Sequence, residues 1–239
     1  VDVALKFNER AGIGTLTWSA NPVGRAPAKS RVYGSDEKGF TVHDEPYEVR
    51  LGMTKELTNP FPANFVAEVA GTSLDVVGVG NSLPNANKAY YRVVAVDEQG
   101  KRSGDSDYVE APRPFIYSVP VTAAPAGQPY RYQVKAIRSL GDLTSRLEAR
   151  PKPGPNFWKI EPLAFALTQK PAWMSIDPKT GLITGTPDGS GGTVIVSVTL
   201  AKEHRLVHDN EGGGICWGNE WGKSTTYETL GPVTQQFVV

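Results

Sequence analysis

Glycine and proline interrupt this chain at short intervals, and that feature limits its possible folds more than any other. The 239 residues include 25 Gly and 19 Pro, which leaves little room for long helices. The runs between them are rich in Val, Thr, Tyr and Ile, and apolar residues alternate with small or polar ones, as in half-buried strands. The clearest runs are residues 13–18, 90–96, 130–136 and 193–200. The sequence therefore predicts an all-β protein.

Charge and composition exclude several functions. The chain has 25 Lys+Arg and 25 Asp+Glu, so its net charge is zero and we expect no nucleic-acid partner. No apolar run approaches the roughly 20 residues that span a bilayer, so we expect no membrane insertion. The single Cys216 excludes an internal disulfide. The chain opens with Val1 and lacks an initiator Met and a leader, so we interpret it as an excised or processed piece.

Two prolines indicate a domain boundary. Pro112 and Pro114 lie between two strand-rich regions and favour a stiff, extended connection. The length suits one large domain or two ordinary ones. We predict two tandem β-sandwiches, over residues 1–111 and 115–239, joined by a linker at 112–114.

Three segments of the first domain carry a family resemblance. They are Leu16-Thr17-Trp18, residues 29–35 and residues 88–97, followed by a turn-like stretch at 98–103. In this order they resemble the fibronectin type III domain, a seven-stranded sandwich in which Trp18 would be a core residue. The segment 41–63 is longer than that fold needs. The resemblance implies packing and no chemistry.

The second domain contains a more specific stretch, from Pro171 to Pro187. It resembles the Ig-like and cadherin-like (dystroglycan-type) modules of bacterial secreted and surface proteins. The Asp-Pro-Lys-Thr-Gly at 177–181 is typical of a tight turn. We expect Trp173 and Ile176 to fill the core, and residues 233–239 to form the last strand.

Two insertions separate this copy from the usual module, at residues 137–159 and 202–232. If they are the B–C and F–G loops of an Ig-like sandwich, they emerge at the same end. We therefore expect them to meet and to bring Trp158 into contact with residues 216–221. Long loops without regular structure are usually functional or disordered, and the aromatic content of these two argues against disorder.

The insertions carry the candidate binding residues. Aromatic faces beside amides, carboxylates and Arg suit a sugar, because C–H groups stack on rings while hydroxyls bond to planar polar groups. The candidate ligand-binding residues are Trp158, Trp217, Trp221, Tyr227, Arg205 and Asn219. The alternatives are that these aromatics form a small satellite core that anchors the loops, or a docking face.

One acidic run is a candidate metal site. Asp209, Asn210 and Glu211 precede three glycines, which places oxygen ligands beside flexible backbone and suits Ca2+. The spacing is not that of an EF-hand, so a solvated turn is the alternative. His204 and His208 follow a predicted strand, where residues i and i+4 lie about 13 Å apart, which disfavours zinc. We expect no other cofactor.

The function expected from these features is not catalytic. The chain lacks a nucleophile elbow, a dinucleotide-binding fingerprint and a Walker sequence. The resemblances imply an accessory module of a larger secreted or surface bacterial protein, such as a polysaccharide-degrading enzyme, that acts as a spacer or binds a glycan. Its partners would be the parent catalytic domain or a polysaccharide. The alternative is a calcium-dependent adhesion or protein-docking module.

Overall fold

The structure is a computed structural model that describes residues 2–8, 10–21, 23, 26–37, 40–50, 58–138, 162–208 and 222–239. Every regular element in this part of the chain is a strand. None of the described residues forms a helix long and apolar enough to cross a membrane. The protein is all-β and consists of two tandem β-sandwiches, as predicted.

The first sandwich contains two sheets and a separate hairpin. Its strands are β1 (Val3–Asn8), β2 (Ile13–Trp18), β3 (Lys29–Ser35), β4 (Tyr47–Arg50), β5 (Thr58–Phe61), β6 (Phe65–Val69), β7 (Ser73–Val77), β8 (Tyr90–Val96), β9 (Arg102–Asp105) and β10 (Val109–Glu110). One sheet has the order β1-β2-β7, and the other has the order β10-β8-β3-β6 with β9 also paired to β8. The β4–β5 hairpin accounts for much of the long middle segment noted in the sequence.

Alternation along each strand builds the first core. In β2, Gly14, Leu16 and Trp18 are buried while the threonines between them are partly exposed. Two polar contacts complete the interior: the Trp18 indole Nε1 donates to Ser30 Oγ at 3.0 Å, and the Tyr91 hydroxyl donates to the Val76 carbonyl at 3.0 Å. Because buried N–H and O–H groups need partners, these contacts allow large aromatic residues to fill the space between the sheets.

The second sandwich has two three-stranded sheets and a separate pair of short strands. Its strands are β11 (Phe115–Ile116), β12 (Tyr130–Gln133), β13 (Ala136–Ile137), β14 (Leu163–Gln169), β15 (Met174–Ile176), β16 (Leu182–Gly185), β17 (Thr193–His208) and β18 (Gly222–Val238). The sheets have the orders β12-β16-β15 and β14-β17-β18, and β11 pairs with β13. Strand β17 is therefore the central strand of its sheet.

The core of the second sandwich differs in one respect from the sequence prediction. Met174 and Ile183 are fully buried, whereas Trp173 and Ile176 are only partly buried and pack against the core from its edge. Trp173 lies edge-on to Tyr130 at 5.5 Å, and its Nε1 donates to the Ser190 carbonyl at 3.0 Å. The indole N–H needs an acceptor, which is available at the rim and not among apolar side chains.

The predicted turn after β15 is confirmed. Asp177 Oδ1 accepts the backbone N–H groups of Lys179 at 2.8 Å and Thr180 at 3.0 Å. Gly181 has a φ of +73°, a conformation that glycine adopts without steric cost. The hydrogen bonds from Thr180 and Lys179 lower the pKa of the Asp177 carboxyl.

The second insertion is more regular than predicted. β17 and β18 pair continuously from Thr193 opposite Val238 to His208 opposite Gly222, with one irregularity after Val198. β14 accompanies β17 only as far as Leu200, so residues 201–208 and 222–230 continue as a two-stranded ribbon, which we call the arm. At about 3.3 Å per residue the arm extends roughly 25 Å beyond the sheet. The expectation of an irregular loop is wrong for these residues.

Candidate functional site

The two sandwiches share apolar packing where they meet. Phe115 and Ile137 face each other across the β11–β13 pair, and both are buried within the hydrophobic cluster of the first sandwich. The rings of Phe7 and Phe115 are 4.6 Å apart at an angle of 60°. Phe115 and Ile137, which follow the predicted linker, thus complete the core of the first sandwich.

Polar contacts hold the linker between the sandwiches. Arg113 Nη1 donates to the Tyr90 hydroxyl at 2.7 Å, and Nη2 donates to Glu110 Oε1 at 3.3 Å. The Arg113 side chain is only 10% exposed, and the Arg113–Pro114 peptide bond is cis. A charged side chain buried at this depth and held by two partners restricts the conformations of the connection.

Tyr117 extends the contact between the domains. Gly12 has a φ of +64°, and a Cβ at Gly12 would lie 2.9 Å from the Tyr117 carbonyl oxygen, so only glycine permits this approach. Burial raises the pKa of the Tyr117 hydroxyl, and Asp36 raises it further while Arg138 opposes the shift. Tyr117 is therefore a partly buried residue that is influenced by charged groups of both sandwiches.

Both insertions leave the second sandwich at this junction. The first begins at Ile137, which packs against the first sandwich, and ends near Pro162, whose carbonyl accepts the Ala201 N–H at 3.0 Å. The second begins after Ala201 and ends near Gly231, where a Cβ would lie 3.5 Å from Cγ of Pro114. Ile137 and Gly231, at the described ends of the insertions, therefore lie beside the first sandwich and the linker, a placement that the sequence did not predict.

Most of the predicted site residues lie outside the described residues. These are Trp158, Trp217, Trp221 and Asn219 among the ligand-binding candidates, and Asp209, Asn210 and Glu211 among the metal candidates. Arg205 and Tyr227 lie in the arm, where Arg205 is opposite Thr225 and Glu203 is opposite Tyr227. Arg205 and Tyr227 are thus two register positions apart on the two strands of the ribbon. The contact between Trp158 and residues 216–221 stays a prediction.

The sequence missed an ion-pair network on the first sandwich. Asp44 binds Arg31 Nη2 at 2.7 Å and Arg102 Nη2 at 2.6 Å, and Arg31 also binds Glu68 at 3.1 Å and lies 4.3 Å from the Phe65 ring centroid. Burial alone would raise the pKa of Asp44, but hydrogen bonds from Arg102, Tyr33 and Arg31 outweigh it and lower that pKa. Alternation places Arg31 outside the core, but nothing in the sequence identifies its partners.

A buried carboxyl lies beside the β4–β5 hairpin. Glu37 is only 6% exposed, and Tyr47 donates its hydroxyl to Glu37 Oε2 at 3.1 Å. The Tyr47 ring stacks between His43 at 3.9 Å and Phe61 at 5.4 Å. Burial raises the pKa of Glu37, and the hydrogen bond from Tyr47 partly opposes the shift. The stack and the hydrogen bond join the hairpin to the sandwich.

A comparison with protein families identifies part of the chain. Residues 113–209 match the model of the family described as "Putative Ig domain". The second half of the chain contains an Ig-like domain. The match begins in the linker and runs through β17, so it includes the strands β11 and β13 that pack at the junction. No curated protein and no solved structure matches the chain.

The described residues of the Ig-like domain include a hydrogen-bonded polar cluster. It consists of Ser118, Tyr132 and Gln235, in which the two hydroxyls are 2.7 Å apart and Tyr132 Oη donates to Gln235 Oε1 at 2.7 Å. Burial raises the pKa of Tyr132, which keeps the hydroxyl neutral. Across the described part of the chain, no group of three or more His, Cys, Asp or Glu side chains is arranged to hold a metal ion.

Proposed function

We propose that this chain is a non-catalytic accessory segment of a larger secreted or surface bacterial protein. In this proposal a fibronectin type III-like sandwich over residues 1–111 and an Ig-like domain over 115–239, joined at 112–114, form a rigid spacer. The observation that carries the proposal is the packing of Phe115 and Ile137 in the core of the first sandwich.

The physical argument concerns what bending at the linker would expose. Separating the domains would return Phe115 and Ile137 to water, and each such side chain is worth about 1.5–3 kcal/mol when buried. Bending would also break the bond between Arg113 and the Tyr90 hydroxyl. Independent domains on a flexible tether would not share core residues in this way. Rigid orientation is useful in a spacer, because it fixes the distance between whatever lies on either side.

The fibronectin type III-like assignment has its own support. A sheet in the order β1-β2-β7 faces a sheet in which β3 and β8 are central and β6 and β10 are outer strands. This arrangement suits the sandwich that the sequence resembles, with β4 and β5 as an additional hairpin. The parent protein, in this proposal a polysaccharide-degrading enzyme, rests on the resemblance alone.

Distance measurements between the domains test the rigid spacer. Spin labels at Lys101→Cys and Lys179→Cys, in a Cys216→Ser background, occupy exposed turns of the two sandwiches. We expect a narrow distance distribution by double electron–electron resonance, and a broad one after Phe115→Ala with Ile137→Ala. Val119→Ala removes an exposed apolar side chain near the junction and should leave the distribution narrow. A broad distribution in the unmodified protein would refute the proposal.

Glycan binding by the arm is a second candidate function. Its support is the pairing of β17 with β18 as far as His208 opposite Gly222, the two residues that flank the tryptophan-containing segment 209–221 in the sequence. Retention of the protein in polysaccharide-containing native gels tests it, with Trp217→Ala and Trp221→Ala as variants and Trp173→Phe as a control. Absence of retention on every polysaccharide would remove this function.

The calcium-dependent alternative predicts a different result. If Asp209, Asn210 and Glu211 bind Ca2+, adding calcium should raise the melting temperature, and Asp209→Asn with Glu211→Gln should abolish the increase. An unchanged melting temperature in the presence of calcium would leave the spacer and glycan functions and exclude this one.

A further inference from the structure

A cleft opens at one edge of the first sandwich, between the end of β2 and strand β9. Its volume is about 490 Å3, within the range of small-molecule sites. We call it the β9 cleft. Among the described residues it is lined by Trp18, Val93, Ala95, Ser103, Asp107 and Asn21, with Gly104 and several other small residues.

Two serines hold the cleft open. Ser103 Oγ accepts the Ala95 N–H at 3.0 Å, and Ser106 Oγ accepts the Val93 N–H at 2.9 Å. In a regular ladder these N–H groups would bond to backbone carbonyls of the neighbouring strand. The serine side chains take that role, so the pairing of β9 with β8 is irregular and a space remains beside Trp18.

The floor of the cleft combines apolar side chains with the buried hydroxyl groups of Ser30 and Ser106, and its rim is polar. Trp18 and Val93 are buried, at 8% and 2% exposure, and Trp18 Nε1 already bonds to Ser30, so the indole offers the cleft carbon atoms and not its N–H. Ser103, Asn21 and Asp107 are exposed at the rim. Apolar carbon atoms beside hydroxyl, amide and carboxylate groups match a sugar ring, which has C–H groups on its faces and hydroxyl groups around its edge.

The charged groups around the cleft restrict the class of ligand that it can bind. Asp105 is paired with Arg92 at 2.9 Å, whereas Asp107 forms no ion pair with the other described residues. The described lining contains no Lys or Arg. The carboxylate of Asp107 repels phosphates and acidic sugars but accepts hydrogen bonds from sugar hydroxyls.

We infer that the β9 cleft binds a single pyranose ring of a neutral sugar. This site lies in the first sandwich and is independent of the arm of the Ig-like domain. It therefore does not require the arm to bind glycan, and the two sites can be tested separately.

A residue-specific titration tests the cleft. The full chain is labelled with 15N, and the Trp18 indole signal is assigned by its disappearance in Trp18→Phe. The probes are the methyl glycosides of glucose, galactose, mannose, xylose and N-acetylglucosamine. We expect at least one of them to shift the Trp18 signal saturably, with a Kd in the millimolar range, and methyl glucuronide to bind more weakly.

Glycine substitutions provide a matched pair of variants. A Cβ at Gly104 or at Gly80 would meet no atom within 4 Å, and neither residue has a positive φ, so leucine is tolerated at both. Leucine at 104 would occupy the cleft, whereas residue 80 lies outside it. Gly104→Leu should weaken binding about tenfold or more, while Gly80→Leu should leave the affinity unchanged.

A second pair guards against a folding defect in Gly104→Leu. Asp107→Ala removes a rim acceptor, and Glu98→Ala removes a comparable exposed carboxylate elsewhere; only the first should weaken binding. The inference fails if no neutral glycoside shifts the signal saturably, or if folded Gly104→Leu binds as well as the parent. It also fails if lysine amide shifts the signal where neutral sugars do not, since the cleft would then select amines.

Discussion

The two sandwiches are stabilised by different kinds of polar contact. Between described residues, every ion pair lies in the first sandwich or its linker, from Lys29–Glu68 to Arg113–Glu110. The described part of the Ig-like domain relies instead on neutral groups such as Ser118, Tyr132 and Gln235, and on hydrogen bonds between single charged groups and the backbone, as at Asp177. The first sandwich should therefore respond to pH and salt, while the second should respond to neither within the neutral range.

Each sandwich also has an additional segment, and the two segments are attached differently. The β4–β5 hairpin is joined to its sandwich by the His43–Tyr47–Phe61 stack and by Asn64, whose side chain bonds to the His43 N–H and the Thr41 carbonyl. The arm of the Ig-like domain continues a central strand past the end of its sheet. The hairpin thus packs against the first sandwich, whereas the arm extends from the second sandwich beside the interdomain junction.

The largest expected effect on the free energy of unfolding comes from replacing a core tryptophan, which we compare with replacing a tryptophan at the rim of the other core. Trp18 is buried between two sheets, so Trp18→Ala should reduce the free energy of unfolding by about 3–5 kcal/mol. Trp173 is only partly buried, so Trp173→Ala should cost less, about 1–2 kcal/mol. Guanidinium denaturation measures both. Equal losses would show that the rim position of Trp173 contributes as much as a core position.

The next effect concerns the junction. Phe115→Ala removes a ring that lies 4.6 Å from Phe7 and should cost about 3 kcal/mol. Because the ring contributes to both domains, we expect calorimetry to show one coupled transition for the parent protein and two separate ones for the variant. Val119→Ala, at an exposed position, is the control and should preserve the single transition. Two transitions already present in the parent protein would contradict the coupling.

The sequence predicted the strands best where both faces of a strand have clear environments. The runs at 13–18 and 90–96 coincide with β2 and β8. In β2 a core on one side imposes strict alternation, whereas β8 also has buried residues at adjacent positions. The arm was missed because residues 202–208 lack that alternation. A ribbon that continues an existing strand needs only a partner strand for its hydrogen bonds, so composition does not reveal it.

The location of the candidate site was predicted only in part. The loop positions of the resemblance place the two insertions at one end of the second sandwich. The bond between Ala201 and Pro162 joins residues that flank them, and the meeting of the insertions themselves stays a prediction. The same reasoning did not show that this end faces the first sandwich. That depends on Phe115 and Ile137 packing into another domain's core, a long-range contact that no local pattern encodes. The prediction that Trp173 fills the core was wrong, because residue type alone does not reveal that its indole N–H bonds to an acceptor at the rim.

A smaller effect tests the charged character of the first sandwich. Asp44→Asn removes the ion pairs with Arg31 and Arg102 and should cost about 1 kcal/mol at neutral pH and low salt, and less at high salt. The pKa of Asp44 is lowered on folding from its ordinary value of 3.8. Its stabilisation is therefore present above that value and lost as the pH falls through the lowered pKa. Thermal melts at several pH values measure the difference.

The control for this variant is Glu48→Gln, an exposed carboxylate of the β4–β5 hairpin without an ion pair among the described residues. It should change the melting temperature little at any pH. A loss in Asp44→Asn that persisted at the lowest pH would show that the effect is steric and not electrostatic.

The smallest effect has the opposite sign and comes from Glu37. Burial raises its pKa above the ordinary value of 4.5, so folding favours the protonated form. The stabilisation it provides is present below that value and is lost as the pH rises through the raised pKa.

At neutral pH, Glu37→Gln should therefore raise the melting temperature slightly, because a neutral amide oxygen still accepts the Tyr47 hydroxyl. The advantage should disappear in acid, and Glu45→Gln, at an exposed neighbouring position, should show no such trend. A lower melting temperature for Glu37→Gln at neutral pH would mean that the buried carboxylate is stabilised as an anion, and the first sandwich would then depend on charge in its interior as well as on its surface.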